Sequence, residues 1–314
     1  MERRIERGRE LPVNQYLPSV ILLLVAFFWG TSYGVAKEAL LFTSVFVFLV
    51  IRFVMTTLVL LPIVIYRKNI AHWKSVIPTG GILFLIFVCE TYGIKNTTAS
   101  NAAFLISLFV VFTPFVEWLV NKKKPTNRLF FLSIISVVGV LLLTNMTTHE
   151  LTINMGDILM LIAALLRGVM VVFTKKVMVD KDVDPIMVTS IQSSVVSIFS
   201  IILLLSIHGF EWINLIPLDL SFWLLAIYLV LFCTVFAFYA QNYSVKKMSP
   251  TKVSILMGSE PIFGALFAFL WLSESFTLVQ VIGASLIFIA TFIVTRQEAR
   301  GKGIALGVTI PMPM

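Results

Sequence analysis

The chain has 314 residues, of which 59% are hydrophobic and only 13% charged, and its formal net charge is +8. Soluble globular proteins carry about 25% charged residues, so this composition excludes a water-soluble domain of ordinary make-up. Two cysteines, Cys89 and Cys233, are too few for a disulfide framework and read as small buried apolar side chains.

In chain order, the segment 1–16 opens MERRIERGRE and leads into an apolar run. That run has no small-x-small cleavage site after Val25 and continues into Trp29-Gly30, so it reads as a retained first helix. Ten apolar runs then succeed one another, at approximately 17–36, 43–66, 75–95, 100–120, 129–146, 155–175, 186–207, 220–242, 252–272 and 277–296. Hydrocarbon about 30 Å thick takes about 20 helical residues per crossing, which matches these runs. In lipid the backbone must satisfy its polar groups within the segment, and the weak alternation of a membrane β-barrel is absent, so helix is the expected state of each run. The predicted fold is all-α and integral to the membrane, with ten transmembrane helices and no room for a soluble domain. The segment 297–314 is expected to be a C-terminal tail.

The basic residues fix the orientation. With the N-terminus in the cytoplasm, 20 of the 24 Lys and Arg fall on the inner side. They are Arg3, Arg4, Arg7 and Arg9; Arg67, Lys68 and Lys74; Lys122, Lys123, Lys124 and Arg128; Lys175, Lys176 and Lys181; Lys246, Lys247 and Lys252; and Arg296, Arg300 and Lys302. Only Lys37 and Lys95 fall outside, while Arg52 and Arg167 lie within spans. A missed or invented span would scramble this alternation downstream. The positive charge is therefore a topology signal, and the expected partner is a lipid bilayer, with no nucleic acid. Both termini are expected in the cytoplasm, with the chain in the plasma or inner membrane.

The two halves resemble each other. FFWGTSYGVAKEAL in the first span and LLRGVMVVFTKKVM in the sixth align Gly30 with Gly168 and Lys37 with Lys175. SLFVVFTPF in the fourth and SILMGSEPI in the ninth align Ser107 with Ser254 and Pro114 with Pro261. Five spans per half force opposite orientations, which predicts two inverted five-helix repeats, 17–146 and 153–296.

On these residues the sequence resembles the drug/metabolite transporter superfamily, in its EamA-type ten-helix branch, over about Leu17 to Thr295. The carriers are WGTSYGVAK (Trp29 to Lys37), IRF (Ile51 to Phe53), TTASNAAFL with Pro114, GDILMLIAALLRG (Gly156 to Gly168) and SEPIFGALFAFLWLSE (Ser259 to Glu274). Two departures stand out: Arg167 occupies a place where members often have an aromatic or small residue, and Thr113 stands where the second half has Glu260. The resemblance implies secondary transport of amino acids, nucleosides, bases, vitamins or amphipathic drugs, and leans toward export.

An ionisable side chain at membrane depth costs several kcal/mol unless paired or hydrated, so Arg52, Glu90, Arg167 and Glu260 are the first site candidates. Arg167 and Glu260 are expected to face a cavity between the repeats or to pair with each other. Arg52 is expected to serve packing, because the resemblance carries a similar Arg-Phe there. Glu117 lies nearer the inner surface and is expected to reach Lys122 or water. Trp29, Tyr33 and Tyr239 offer rings to an amphipathic or cationic substrate, and Ser107 a hydroxyl. Tyr92 is expected at the outer interface, and Gly30 with Gly34 as a close-packing step. Pro114 and Pro261 free the carbonyls of Val110 and Met257 and are the expected hinges.

Other patterns fail their chemistry. Asp180, Asp182 and Asp184 lack the Gly and Glu of a calcium loop, having Pro185 and Ile191 there. Gly301, Gly303 and Gly307 miss dinucleotide spacing, and His72, His149 and His208 stand singly. Sequons at Asn96 and Asn145 would matter only in a secreted eukaryotic context. No metal or cofactor is expected, and without a phosphate-binding loop ATP is not the expected energy source. The favoured function is alternating-access transport of a small organic solute, with Glu260 or Glu90 as the carrier of a coupling proton. A membrane-embedded lipid-modifying enzyme is the alternative, but it lacks a nucleophile–base motif. Such a repeat can enclose a pathway as a monomer, so monomer and homodimer both fit.

Overall fold

The computed structural model describes residues 13–67, 71–97, 99–122, 124–144, 154–209, 211–272 and 277–305. Arg3, Arg4, Arg7, Arg9, Lys68, Lys123, Asn145, His149, Glu274 and Gly307 lie outside them. The helices are α1 (Val13–Ala39), α2 (Val45–Tyr66), α3 (Trp73–Asn96), α4 (Ala99–Ser107), α5 (Phe109–Asn121), α6 (Asn127–Leu143) and α7 (Met155–Asp180). They continue as α8 (Pro185–His208), α9 (Leu220–Val230), a π-helical turn (Leu231–Phe236), α10 (Ala237–Lys247), α11 (Pro250–Met257), α12 (Glu260–Leu272) and α13 (Leu278–Ala305). Among the described residues there is no strand. Among the described residues eight stretches are long and apolar enough to cross a bilayer, and α6 is a shorter apolar helix. The α11–α12 pair makes up the ninth span, so this is an all-α membrane protein with about ten spans, as the hydropathy predicts.

Local sequence explains the starts. Ser44 and Thr126 accept from the amides of Val47 and Leu129 at the heads of α2 and α6. Asn154 and Asp157 form a reciprocal capping box on α7. Asp184-Pro185 and Ser249-Pro250 open α8 and α11, with proline where its missing N–H costs nothing.

Between helices, small residues let backbones meet, since lipid offers no hydrophobic drive for association. A Cβ on Gly139 of α6 would stand 2.8 Å from the Gly283 carbonyl of α13, and one on Gly283 would stand 2.5 Å from the Gly139 carbonyl. Likewise a Cβ on Gly30 would meet the Glu260 carbonyl at 2.5 Å and the Gly264 amide at 2.8 Å. Gly34, expected to share that role, has nothing within 4 Å. The close step is therefore Gly30 against Gly264, and Gly34 takes no part in it. Gly30→Ala is expected to destabilise the protein by about 1–3 kcal/mol through forced separation of α1 and α12. Gly34→Ala is expected to be neutral or to stabilise by up to about 1 kcal/mol through helix propensity. Melting temperatures of the two purified variants in one detergent check this.

Equivalent contacts recur in the two halves. Gly30 packs on Glu260, and its counterpart Gly168 packs on Thr113, the residue aligned with Glu260. Lys37 donates to the Thr97 carbonyl just past α3, and Lys175 donates to the Lys246 carbonyl at the end of α10, each at 2.7 Å. Both lysines thus satisfy orphan carbonyls at the end of their half's third helix. Ser107 and Ser254 donate to the carbonyls three residues back, Phe104 at 2.6 Å and Thr251 at 2.9 Å.

Two expectations need correction. The fourth span breaks at Leu108, six residues before Pro114, which sits inside the continuous helix α5. The ninth breaks at Gly258-Ser259, directly before Glu260-Pro261, with Met257 the last residue of α11. Only Pro261 adjoins its break, so the two prolines are not equivalent hinges. Glu117 does not turn to Lys122. It accepts from the amide (3.0 Å) and hydroxyl of Thr251 and so caps α11 across the repeat boundary.

Candidate functional site

Helices from both halves cross where four of the nominated ionisable and aromatic positions meet Arg167. Trp29 and Tyr33 lie one turn apart on α1, Glu90 is on α3, and Arg167 is on α7. Glu260 is the first residue of α12, placed there by the Gly258-Ser259 turn, so its carboxylate sits at a helix N-terminus that favours negative charge. All five are buried, none more than 8% exposed.

Arg167 stands between the two carboxylates. Its Nη2 is 3.6 Å from Glu90 Oε2 and its Nη1 is 3.5 Å from Glu260 Oε2. Direct N–H···O bonds span about 2.7–3.2 Å, so both pairs attract without closing. Glu90 Oε2 and Arg167 Nη1 are buried without a hydrogen-bond partner. Glu260 is held on its other oxygen, where the Tyr33 hydroxyl donates to Oε1 at 2.7 Å. The guanidinium lies 4.7 Å from the Trp29 ring centre and 5.8 Å from that of Phe109, a cation–π arrangement that suits a planar cation. The Trp29 indole is itself fixed, its Nε1 donating to the Cys233 carbonyl at 2.8 Å.

Cys233 belongs to the π-helical turn in the middle of the eighth span. In the same turn the Thr234 hydroxyl donates to the Leu229 carbonyl five residues back and accepts from Arg52 Nε, each at 2.8 Å. π turns inside helices concentrate at functional positions. Here the turn orients both Trp29 and Arg52. Arg52 also lies over the rings of Phe87 (4.9 Å) and Phe53 (5.8 Å), within electrostatic reach of Glu90 and Arg167. With all four groups ionised, two arginines balance two glutamates, and the centre is formally neutral. Among the described residues no group of three or more His, Cys, Asp or Glu could hold a metal ion.

Tyr239 and Ser107 are not brought to this centre. Tyr239 is 40% exposed with its ring against Tyr243. Ser107 is buried, and its hydroxyl is used by its own helix. Tyr92 is half-buried against Phe46. Phe109, the Cys233 carbonyl and Thr234 were missed by sequence reasoning. One Phe among 27 carries no signal, and nothing in LFCTVF announces a π turn.

A ten-span bundle whose two related halves enclose an ionic centre defines a polytopic membrane protein built around an internal polar site. The chain belongs to the EamA-like transporter family, whose model matches it twice, over residues 17–145 and 154–296. It is 30% identical over 290 residues to an uncharacterized transporter of Archaeoglobus fulgidus, spanning 92% of this chain and 89% of that one. A WAT1-related chloroplastic protein of Arabidopsis thaliana is 25% identical over 300 residues, spanning 90% of this chain and 70% of that one. A solved crystal structure superposes with a TM-score of 0.74 at 14% identity, covering 90% of this chain and 97% of its own, and this likeness concerns the fold. The coarse function is thus that of a multi-pass membrane transporter.

Proposed function

We propose that the chain is a secondary transporter that moves a small organic solute by alternating access, with the segments 17–146 and 153–296 as its two moving units. The observation that carries this reading is that Glu90 Oε2 and Arg167 Nη1, buried atoms of opposite sign, make no hydrogen bond although each has an ion-pair partner, at 3.6 and 3.5 Å. A buried polar atom left without a hydrogen bond is costly, so such atoms mark a place where a ligand completes the bonding. A solute with an ammonium for Glu90 and a carboxylate for Arg167, as in an amino acid, would satisfy both and leave the centre's charge balance unchanged. Trp29 and Phe109 supply the flat walls. Glu260, already held by Tyr33, is the group we assign to a coupling proton. The direction we assign is export from the cytoplasm, with both termini cytoplasmic, in the plasma or inner membrane, as a monomer or homodimer.

A thermal-shift screen of the purified protein against amino acids, nucleosides, bases, polyamines, choline-like cations and vitamins tests the reading. A ligand at 100 times its Kd stabilises by about 2.7 kcal/mol. Zwitterionic compounds are expected to raise the melting temperature of the wild type and not of Glu90→Gln. A shift from zwitterions that survives in Glu90→Gln, or shifts from lipid-like compounds alone, would overturn the assignment.

A further inference from the structure

Two amide side chains stand next to each other on α10, and they are used differently. Asn242 faces α8, donating to Thr189 Oγ1 at 3.0 Å and to Gln192 Oε1 at 3.1 Å. Gln192 in turn donates to Thr79 Oγ1 at 3.1 Å and to Thr174 Oγ1 at 3.2 Å, so both ends of its amide are engaged. These bonds tie α3, α7, α8 and α10 together, and a buried network of this kind serves rigidity. Gln241 is just as buried, at 3% exposed, but its Oε1 has no hydrogen-bond partner among the described residues. Its Nε2 donates to the Met257 thioether at 3.5 Å, and sulfur is a weak acceptor.

Outside the ionic centre, the other buried side-chain atoms without a hydrogen bond among the described residues are Ser and Thr hydroxyls. A hydroxyl in a helix can rotate onto a carbonyl of its own preceding turn. The Gln241 oxygen only accepts, so an N–H or O–H must be brought to it from elsewhere.

The position of Gln241 ties it to the centre. Three residues before it, Phe238 sets its ring 5.2 Å from that of Trp29 and 5.8 Å from that of Phe87, between centres. Phe87 stands three residues before Glu90 on α3, and Met257 ends α11 three residues before Glu260. Residues three apart share a side of a helix. Gln241 thus borders the centre next to Trp29, where α10 meets the end of α11.

We infer that Gln241 is a further solute-binding residue, its amide oxygen accepting from an N–H or O–H on the solute's side chain. The solutes preferred are then amino acids that carry a hydroxyl or an amide. The inference rests on the zwitterion reading above, in which Glu90 and Arg167 take the ammonium and the carboxylate and leave the side chain free. An acceptor held ready in this way lowers the stability of the empty protein and is satisfied when the solute arrives.

Thermal-shift titrations with two pairs of nearly equal shape test this: threonine against valine, and asparagine against leucine. Wild type is expected to bind threonine and asparagine about tenfold more tightly than their apolar counterparts. Gln241→Met keeps the volume and removes the oxygen. In this variant threonine and asparagine are expected to fall to the level of valine and leucine. Without any solute, the variant is expected to melt at a higher temperature than wild type. Equal affinities within both pairs in wild type, a preference that survives in Gln241→Met, or a variant that melts lower or does not fold would each overturn the assignment. The comparison in wild type needs no variant. Equal binding of all four amino acids would remove the role of Gln241 and keep the zwitterion reading, whereas binding of none of them would overturn both.

Discussion

Replacing Arg167 with leucine is expected to destabilise the protein by about 3–5 kcal/mol, the largest single-site effect in the bundle. The substitution leaves Glu90 and Glu260 facing each other in a buried place without their shared cation, and removing one partner of a buried ion pair costs that much. The cost arises from the stranded carboxylates rather than from the loss of an attractive contact. A triple variant, Arg167→Leu with Glu90→Gln and Glu260→Gln, is therefore expected to recover most of the loss. Thermal unfolding of the three proteins in one detergent is the measurement. A single variant as stable as wild type, or a triple variant no better than the single, would show that the three groups are not energetically joined.

The second large effect concerns coupling. Glu260→Gln keeps an acceptor for the Tyr33 hydroxyl and nearly the same volume, but it cannot take up and release a proton. In proteoliposomes this variant is expected to keep solute exchange while losing accumulation driven by a pH gradient. One proton per solute is worth about 1.4 kcal/mol, or tenfold in concentration ratio, for each pH unit. Wild type is thus expected to show about a tenfold ratio at a one-unit gradient and the variant none. If Glu260→Gln and Glu90→Gln both accumulate solute as wild type does, the proton is not the coupling ion.

The fold was legible because lipid imposes few choices. Runs of about 20 apolar residues must be helices, and Lys and Arg placement orders them. The ionic centre was legible for a related reason. Against an apolar background, Glu90, Arg167 and Glu260 stand out by depth alone, and depth is enough to bring groups together when helices are few and parallel. Depth does not give the face of the helix, however. Tyr239, nominated for its ring, turns outward to Tyr243. Leu108 breaks the fourth span without a proline, and no local motif marks the break. The π turn at Leu231–Phe236 is a tertiary product, stabilised by what Trp29 and Arg52 donate to it from other helices. Arg52, expected to serve packing, donates to a hydroxyl on the opposite half.

Arg167 and Glu90 are proposed to bind the transported solute between the two halves. Counterflow in proteoliposomes, using a zwitterion that shifts the melting temperature, tests it most directly. Wild type, Arg167→Lys and Glu90→Gln would be compared at matched reconstitution and verified folding. Lysine keeps the positive charge but loses the planar fork that engages a carboxylate on two sides. Exchange is expected in wild type, with at least a tenfold loss in both variants. Exchange at the wild-type rate in either variant would contradict it.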